Sequence, residues 1–291
     1  MQWKGMLLMK RTIVFMALVF IVIGCTSEPN EVAEQEQFTS QQQIQQENQV
    51  FTSERNKSEG KWDSEKNGRK EKTAEEEEEE ESEVEASYEL NENIWITPID
   101  NANEKVLLLT IDDTPHQYSM EMADTLKELG VRAIFFVNGD LIQSEEGKEK
   151  IKQLDEMGFE IGNHTMSHVN LNEISAEEQR AEIKELNALI EEITGQQPRF
   201  FRAPYGKNTD ISKEVVQEEG MQWMNWSYGY DYFTEYREAS ALEEVMVNAP
   251  ELTDGGNLLL HDREWTNKAL KNIVTRLQDK GYQFVDPHDI R

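Results

Sequence analysis

The chain has one cysteine, five histidines and seven prolines in 291 residues. A single thiol rules out any disulfide within the chain, so the fold must be held by burial and hydrogen bonding. Positive charge is scarce too: 29 Lys and Arg against 58 Asp and Glu leave a formal charge of −29. Nucleic acid needs a basic face, and no Lys or Arg cluster beyond the first residues offers one, which excludes it as a partner. The apolar stretch from Thr12 to Ile23 is too short for a comfortable membrane span.

What is present falls into three zones. Lys4, Lys10 and Arg11 precede the apolar stretch, giving the charged and hydrophobic regions of a secretory signal. The stretch stops at Val22-Ile23-Gly24-Cys25, which resembles a bacterial lipobox, where cleavage before the cysteine leaves a lipid on the new N-terminus. An uncleaved signal anchor is the alternative, and both readings export the rest of the chain. Residues 1–24 are therefore expected to be a lipoprotein signal peptide, and Cys25 the lipidated residue that fixes the protein to the outer face of the bacterial cell membrane. Residues 25–93 are rich in Glu, Gln, Ser, Asn and Lys and carry the run Glu75 to Glu81. They bury too little surface to offset the entropy of ordering them, so a disordered acidic linker is expected. Residues 94–291 are expected to fold as one domain.

From Ile94 on, short apolar runs alternate with amphipathic stretches of helical length. Strands are predicted at Val106 to Ile111, Ala133 to Asn138, Phe159 to Asn163, Arg199 to Ala203, Gln222 to Ser227, Asn257 to His261 and Gln283 to Val285. Helices fill the gaps, at Ser119 to Leu129, Glu145 to Met157, Ala176 to Ile193, Ile211 to Glu219, Ala239 to Asn248 and Thr266 to Lys280. Gly130, Gly158, Gly195, Gly220 and Gly281 sit at or just past helix ends, where a left-handed cap suits glycine. Regular alternation argues an α/β fold with a parallel sheet covered by helices, closed or nearly closed into a barrel; a doubly wound open sheet competes.

Asp112, Asp113, His164, Arg202, Asp231 and His261 all fall at or just after the C-terminal ends of predicted strands, where a barrel gathers its active site. His164 and His168 stand four apart, so a helical turn there would aim both at one ion. One carboxylate and two imidazoles form a ligand set that leaves positions open for water and substrate. The other carboxylate stays free to take a proton, and His261, closing the run Leu258-Leu259-Leu260, is placed to give one. Together these read as a metal-dependent hydrolase.

Five blocks carry a closer likeness: Thr110-Ile-Asp-Asp-Thr-Pro115, His164-Thr-Met-Ser-His168, Arg202-Ala-Pro-Tyr-Gly206, the segment Trp226 to Tyr232, and Leu259-Leu-His261. In this order they resemble the polysaccharide deacetylases, the NodB-homology carbohydrate esterases, over nearly all of Val106 to Val285. The resemblance implies a distorted (β/α)7-type barrel over the catalytic domain 94–291 and assigns roles one at a time. Asp112 would be the general base. Asp113, His164 and His168 would hold one divalent metal ion, zinc in the first place, with cobalt or nickel as substitutes. Arg202 would pair with Asp112 and keep it aimed, since a guanidinium beside a carboxylate favours the charged form. The backbone N–H of Tyr205 would face the oxyanion, Leu259 would line the pocket for the acetyl methyl group, His261 would be the acid, and Asp231 would orient that acid. The fourth block is the loosest, with Gly229 and Tyr232 where the family often has Asp and Trp.

The implied activity is N-deacetylation of amino sugars in a cell-surface glycan by a monomer, with peptidoglycan favoured by the expected anchor. An O-acetyl esterase acting on a xylan-type polysaccharide and a catalytically idle wall-binding lipoprotein are the alternatives. Trp226, Tyr228, Tyr230 and Trp265 are candidates either for stacking on sugar rings or for packing. His116 and His288 read as ordinary surface or loop residues.

Overall fold

A computed structural model describes residues 86–291. The expectations for the signal peptide, for Cys25 and for the linker up to residue 85 lie outside these residues.

Regular structure begins inside the stretch assigned to the linker, which moves that boundary. Strands β1 (Tyr88–Asn91) and β2 (Trp95–Pro98) pair antiparallel. Composition hides this hairpin, because its anchors are few: Tyr88 and Ile96 bury in one cluster with Val106, Leu108, Phe136 and Ile290. Tyr88 also bridges Ile290, so the hairpin and the C-terminus hold each other. Between the strands Glu92 and Asn93 take positive φ, 50° and 57°, the turn chemistry a tight hairpin asks for.

All seven strands expected beyond Ile94 are present, as β3 (Val106–Thr114), β4 (Ile134–Val137), β5 (Glu160–Asn163), β6 (Phe200–Phe201), β7 (Gln222–Trp223), β8 (Gly256–His261) and β9 (Gln283–Phe284). So are the six helices: α1 (Ser119–Glu128), α2 (Glu145–Glu156), α3 (Ala176–Thr194), α4 (Asp210–Glu218), α5 (Ala239–Asn248) and α6 (Glu264–Asp279). Ser175 closes a capping box at the start of α3, and all five end glycines take positive φ.

Pairing within the main sheet is parallel, in the order β7-β6-β5-β4-β3-β8, with β9 beside the first residues of β3. The order runs without a reversal along β3 to β7, which excludes the doubly wound alternative. A bridge between Tyr228 and Leu258 links the segment after β7 to β8, so the curled sheet nearly meets itself. Side chains alternate accordingly. Leu107, Leu109 and Ile111 face the helix layer, whereas Val106 and Leu108 join Ile134, Phe136, Phe200 and Met224 on the other face. That inner face ends upward in polar residues, Thr110 and Asp112, both buried. Among the described residues no helix is long and apolar enough to cross a membrane.

The hairpin should contribute to stability as core does. Ile96→Ala is expected to lower the unfolding free energy by about 2–5 kcal/mol, as buried large-to-small changes do. Urea denaturation reads this directly, and a loss near zero would mean that the hairpin frays independently of the barrel.

Candidate active site

An unbroken strand would send Asp112 and Asp113 to opposite faces of the sheet. The register of β3 against β4 slips between Ile111 and Thr114, and Asp113 takes φ 59°. This bulge re-aims the second carboxylate, as bulges do. Both acids thereby reach the same mouth: Asp112 Oδ2 lies 3.6 Å from His164 Nε2, and Asp113 Oδ1 lies 3.1 Å from His168 Nε2.

The histidines meet by a route the sequence did not suggest. No helical turn links them; the segment after β5 is irregular, with Thr165 at φ 68° and His168 at φ 53°. Side-chain bonds hold it in place of helical ones. The Thr165 N–H donates to Asn163 Oδ1, the His168 N–H to Thr165 Oγ1, and the backbone N–H and hydroxyl of Ser167 to Glu182 on α3. His164 Nδ1 lies 2.6 Å from the Arg202 carbonyl, an acceptor only, so that nitrogen donates and Nε2 keeps its lone pair toward the mouth. Burial pushes His164 down to about 4 against the pull of Asp112 and Asp113, so the ring is neutral at neutral pH. Neutral imidazole is the ligand form. Donor atoms of Asp113, His164 and His168 all lie within 4.8 Å of one another, and the set can hold one metal ion. Burial would raise the Asp113 pKa, but the His168 hydrogen bond and the charges of His168 and His261 hold it well below the usual carboxylate range.

Arg202 is fully buried. Its Nη1 donates to Asp112 Oδ1 at 2.8 Å and to Thr110 Oγ1 at 2.6 Å, and its Nη2 to the Asn225 carbonyl and Asn257 Oδ1. Phe136 packs under the guanidinium, 4.4 Å from ring centroid to Cζ. Tyr205, at φ 59° in the turn Pro204–Gly206, stands edge-on to His168 at 5.1 Å.

His261 is the register partner of Asp112 across β3 and β8. Its Nδ1 lies 2.7 Å from Asp231 Oδ1, and its backbone N–H donates to Asp231 Oδ2. Thr266 donates to the same Oδ2, and Trp265 Nε1 to the Asp231 carbonyl. Burial alone would lower the His261 pKa; the Asp231 charge and hydrogen bond, with Asp113 and Asp112 behind them, raise it to about 9. The Asp231 placement thus emerges from geometry where the fourth block was loosest. Gly229 has a reason as well: a Cβ there would lie 2.5 Å from the Leu259 carbonyl oxygen, so the close approach to β8 admits no side chain. Leu259 itself is buried between Asn257 and His261, out of the helix-facing cluster that takes Leu258 and Leu260.

Two residues carry weight that the sequence reading did not give them. Asp262 is fully buried, and its carboxylate accepts from the backbone N–H groups of His116, Tyr118 and Ser119 and from the Ser119 hydroxyl, fastening the loop after Asp113 to the end of β8. Arg263 donates from Nη2 to Asp113 Oδ2 at 2.8 Å. An acid adjoining a candidate histidine was the available signal for Asp262; Arg263 had none, since its partner lies 150 residues away. His116 and His288 stay outside the cluster, His288 bonded to Asp286.

A barrel mouth that sets an arginine-paired carboxylate, three donor atoms and a carboxylate-backed imidazole side by side fits a hydrolase class. Residues 99–224 match the polysaccharide deacetylase family. The chain is 32% identical over 191 residues to a peptidoglycan-N-acetylglucosamine deacetylase of Bacillus cereus, an alignment that takes in 63% of this chain and 86% of that one. It belongs to the polysaccharide deacetylase family. It is also 33% identical over 184 residues to the peptidoglycan-N-acetylglucosamine deacetylase PgdA of Listeria monocytogenes, covering 62% of this chain but only 38% of that relative's length. Among solved structures, the wild-type pseudoenzyme of carbohydrate esterase family 4 from Bacillus anthracis superposes with a TM-score of 0.57 at 28% identity, over 62% of this chain and 63% of the other.

The acid pair gives a direct test in metal-free protein. His261 should titrate near pH 9 by NMR, and Asp231→Asn should move that midpoint down toward the ordinary value, because the charge that retains the proton is gone. An unmoved midpoint would show that Asp231 does not hold it.

Proposed function

We propose that the chain is a metal-dependent polysaccharide N-deacetylase that removes acetyl groups from N-acetylated amino sugars, with peptidoglycan its cell-surface substrate. The observation that carries this reading is the meeting of Asp112 with Arg202, of three donor atoms within 4.8 Å, and of His261 with Asp231 at one barrel mouth. Bacillus and Listeria relatives named for deacetylating peptidoglycan amino sugars support the substrate.

A divalent cation at Asp113, His164 and His168, zinc by the preference of two imidazoles and one carboxylate, would lower a water's pKa and polarise the acetyl carbonyl. Asp112 takes the proton from the attacking water through Oδ2, while Arg202 holds Oδ1. The Tyr205 backbone N–H is assigned to the oxygen on which negative charge develops. His261, protonated through neutral pH, gives its proton to the departing nitrogen, which leaves poorly as an anion. Acetate and a free amine result. Tyr232 and Phe233, exposed large apolar side chains among the described residues, lie beside His261, Tyr232 edge-on to it and tilted against Phe233, and offer aromatic surface to a sugar chain. Cys25 would fix the enzyme by a lipid to the outer face of the bacterial membrane, within reach of the wall.

The Bacillus anthracis likeness keeps an idle wall-binding role as the second reading. Acetate release from peptidoglycan, chitin oligomers and acetylated xylan, with chelation and zinc add-back, separates the readings. Activity should vanish on chelation and return with zinc; release from xylan alone would favour the O-acetyl esterase, and none from any substrate the idle form. Asp112→Asn should lower kcat at least about 100-fold, the low end of what a general base contributes, while zinc content stays near one ion per chain; unchanged kcat would remove Asp112 from its role. Cys25→Ala should move the protein from the membrane fraction to the soluble one.

A further inference from the structure

Arg263 opens helix α6, two residues after the proposed acid, and its guanidinium reaches back across the mouth to Asp113. The carboxylate is divided by this contact. Oδ2 accepts from Arg263 Nη2 at 2.8 Å, whereas Oδ1 faces His168 Nε2 at 3.1 Å and His164 Nε2 at 4.0 Å. We propose that Arg263 tunes the cation site, weakening its hold on a divalent ion by drawing charge from Asp113 and placing a positive charge beside the pocket. The inference rests on the metal site assigned to Asp113, His164 and His168.

A brace and a tuner have opposite signatures. Partners that merely orient a ligand strengthen a metal site, and their loss costs about 10–100-fold in affinity. Arg263 differs in carrying a full positive charge that competes with the cation for the same carboxylate and repels it through space. Asp113 has other restraints, namely the bulged backbone at φ 59° and the contact with His168, so orientation does not depend on Arg263 alone. Charge bookkeeping at the mouth points the same way. Asp112 is matched by Arg202 and Asp231 by His261, which leaves Asp113 to Arg263. Asp262, fully buried beside them, accepts from N–H groups and a hydroxyl rather than from a cation, so Arg263 is the charge that offsets Asp113, and its loss leaves one more negative charge to hold a divalent ion. A ligand whose electron density is shared with a guanidinium donates less to the ion, which leaves the ion a stronger acid toward water and an easier one to exchange.

Zinc affinity of the full chain, read by competition with a chromophoric chelator, tests this without any measurement of turnover. Arg263→Met keeps the apolar stem and removes the charge; Arg263→Gln is the second neutral variant, and Arg263→Lys keeps the charge. The neutral variants should bind zinc about tenfold more tightly, the change that a modest screened repulsion corresponds to, and Lys should bind like the wild type. Because the Arg263 side chain is 39% exposed, the gap should narrow at high salt. Equal or weaker binding by the neutral variants, or tightening in Lys as well, overturns the role of Arg263 and leaves the metal site standing. A wild-type chain that takes up no zinc overturns both. Thermal unfolding of the metal-free proteins identifies any variant that fails to fold.

Discussion

A guanidinium buried without solvent inside a barrel is the constraint on which the rest turns. Arg202 donates through its two terminal nitrogens to Thr110 and Asp112 on β3, to Asn257 on β8 and to the Asn225 carbonyl after β7, while its own carbonyl receives His164 after β5. One side chain therefore ties together most of the strand ends that form the mouth. Breaking such a buried pair by removing one partner strands a charge, at a cost of about 3–5 kcal/mol. Phe136 beneath and Trp226 beside the guanidinium keep water out, which makes the pairing obligatory. Stability and chemistry draw on the same contact, since the bond that neutralises Arg202 is also the one that aims Asp112.

Around that centre the backbone is held in unusual shapes. Asp113, Thr165, His168 and Tyr205 are four of the seven described non-glycine residues with positive φ. Such conformations cluster where geometry is demanded by function and supplied by the surroundings. Here the surroundings can be named: a bulge for Asp113, Glu182 and Asn163 for the histidine segment, a proline turn for Tyr205. Asp262 completes the frame by fastening the loop after Asp113 to the strand that carries His261.

The sequence exposed those parts of the molecule that repeat. Alternation along Val106 to Ile111 and helical periodicity with glycine ends set the strand and helix order, because burial on alternate faces leaves a direct imprint. The candidate site residues were legible through their shared position at strand ends. What stayed hidden was one-off geometry. Four apart suggested a helical turn for His164 and His168, and side-chain bonds to the backbone chose an irregular path instead. The hairpin of β1 and β2 was lost in a polar composition, since two well-placed apolar residues, Tyr88 and Ile96, suffice to anchor it. Arg263 was invisible because a pair 150 residues apart leaves no local pattern.

The register of β3 against β8 makes Asp112 and His261 direct neighbours. Adjacent strands lie about 4.7–4.9 Å apart, a spacing set by main-chain amides. The backbone separation between the proposed proton acceptor and the proposed proton donor is thus a lattice constant of the sheet. Loops at the rim are free to lengthen, shorten or change composition to suit a different glycan, and this ruler does not stretch with them.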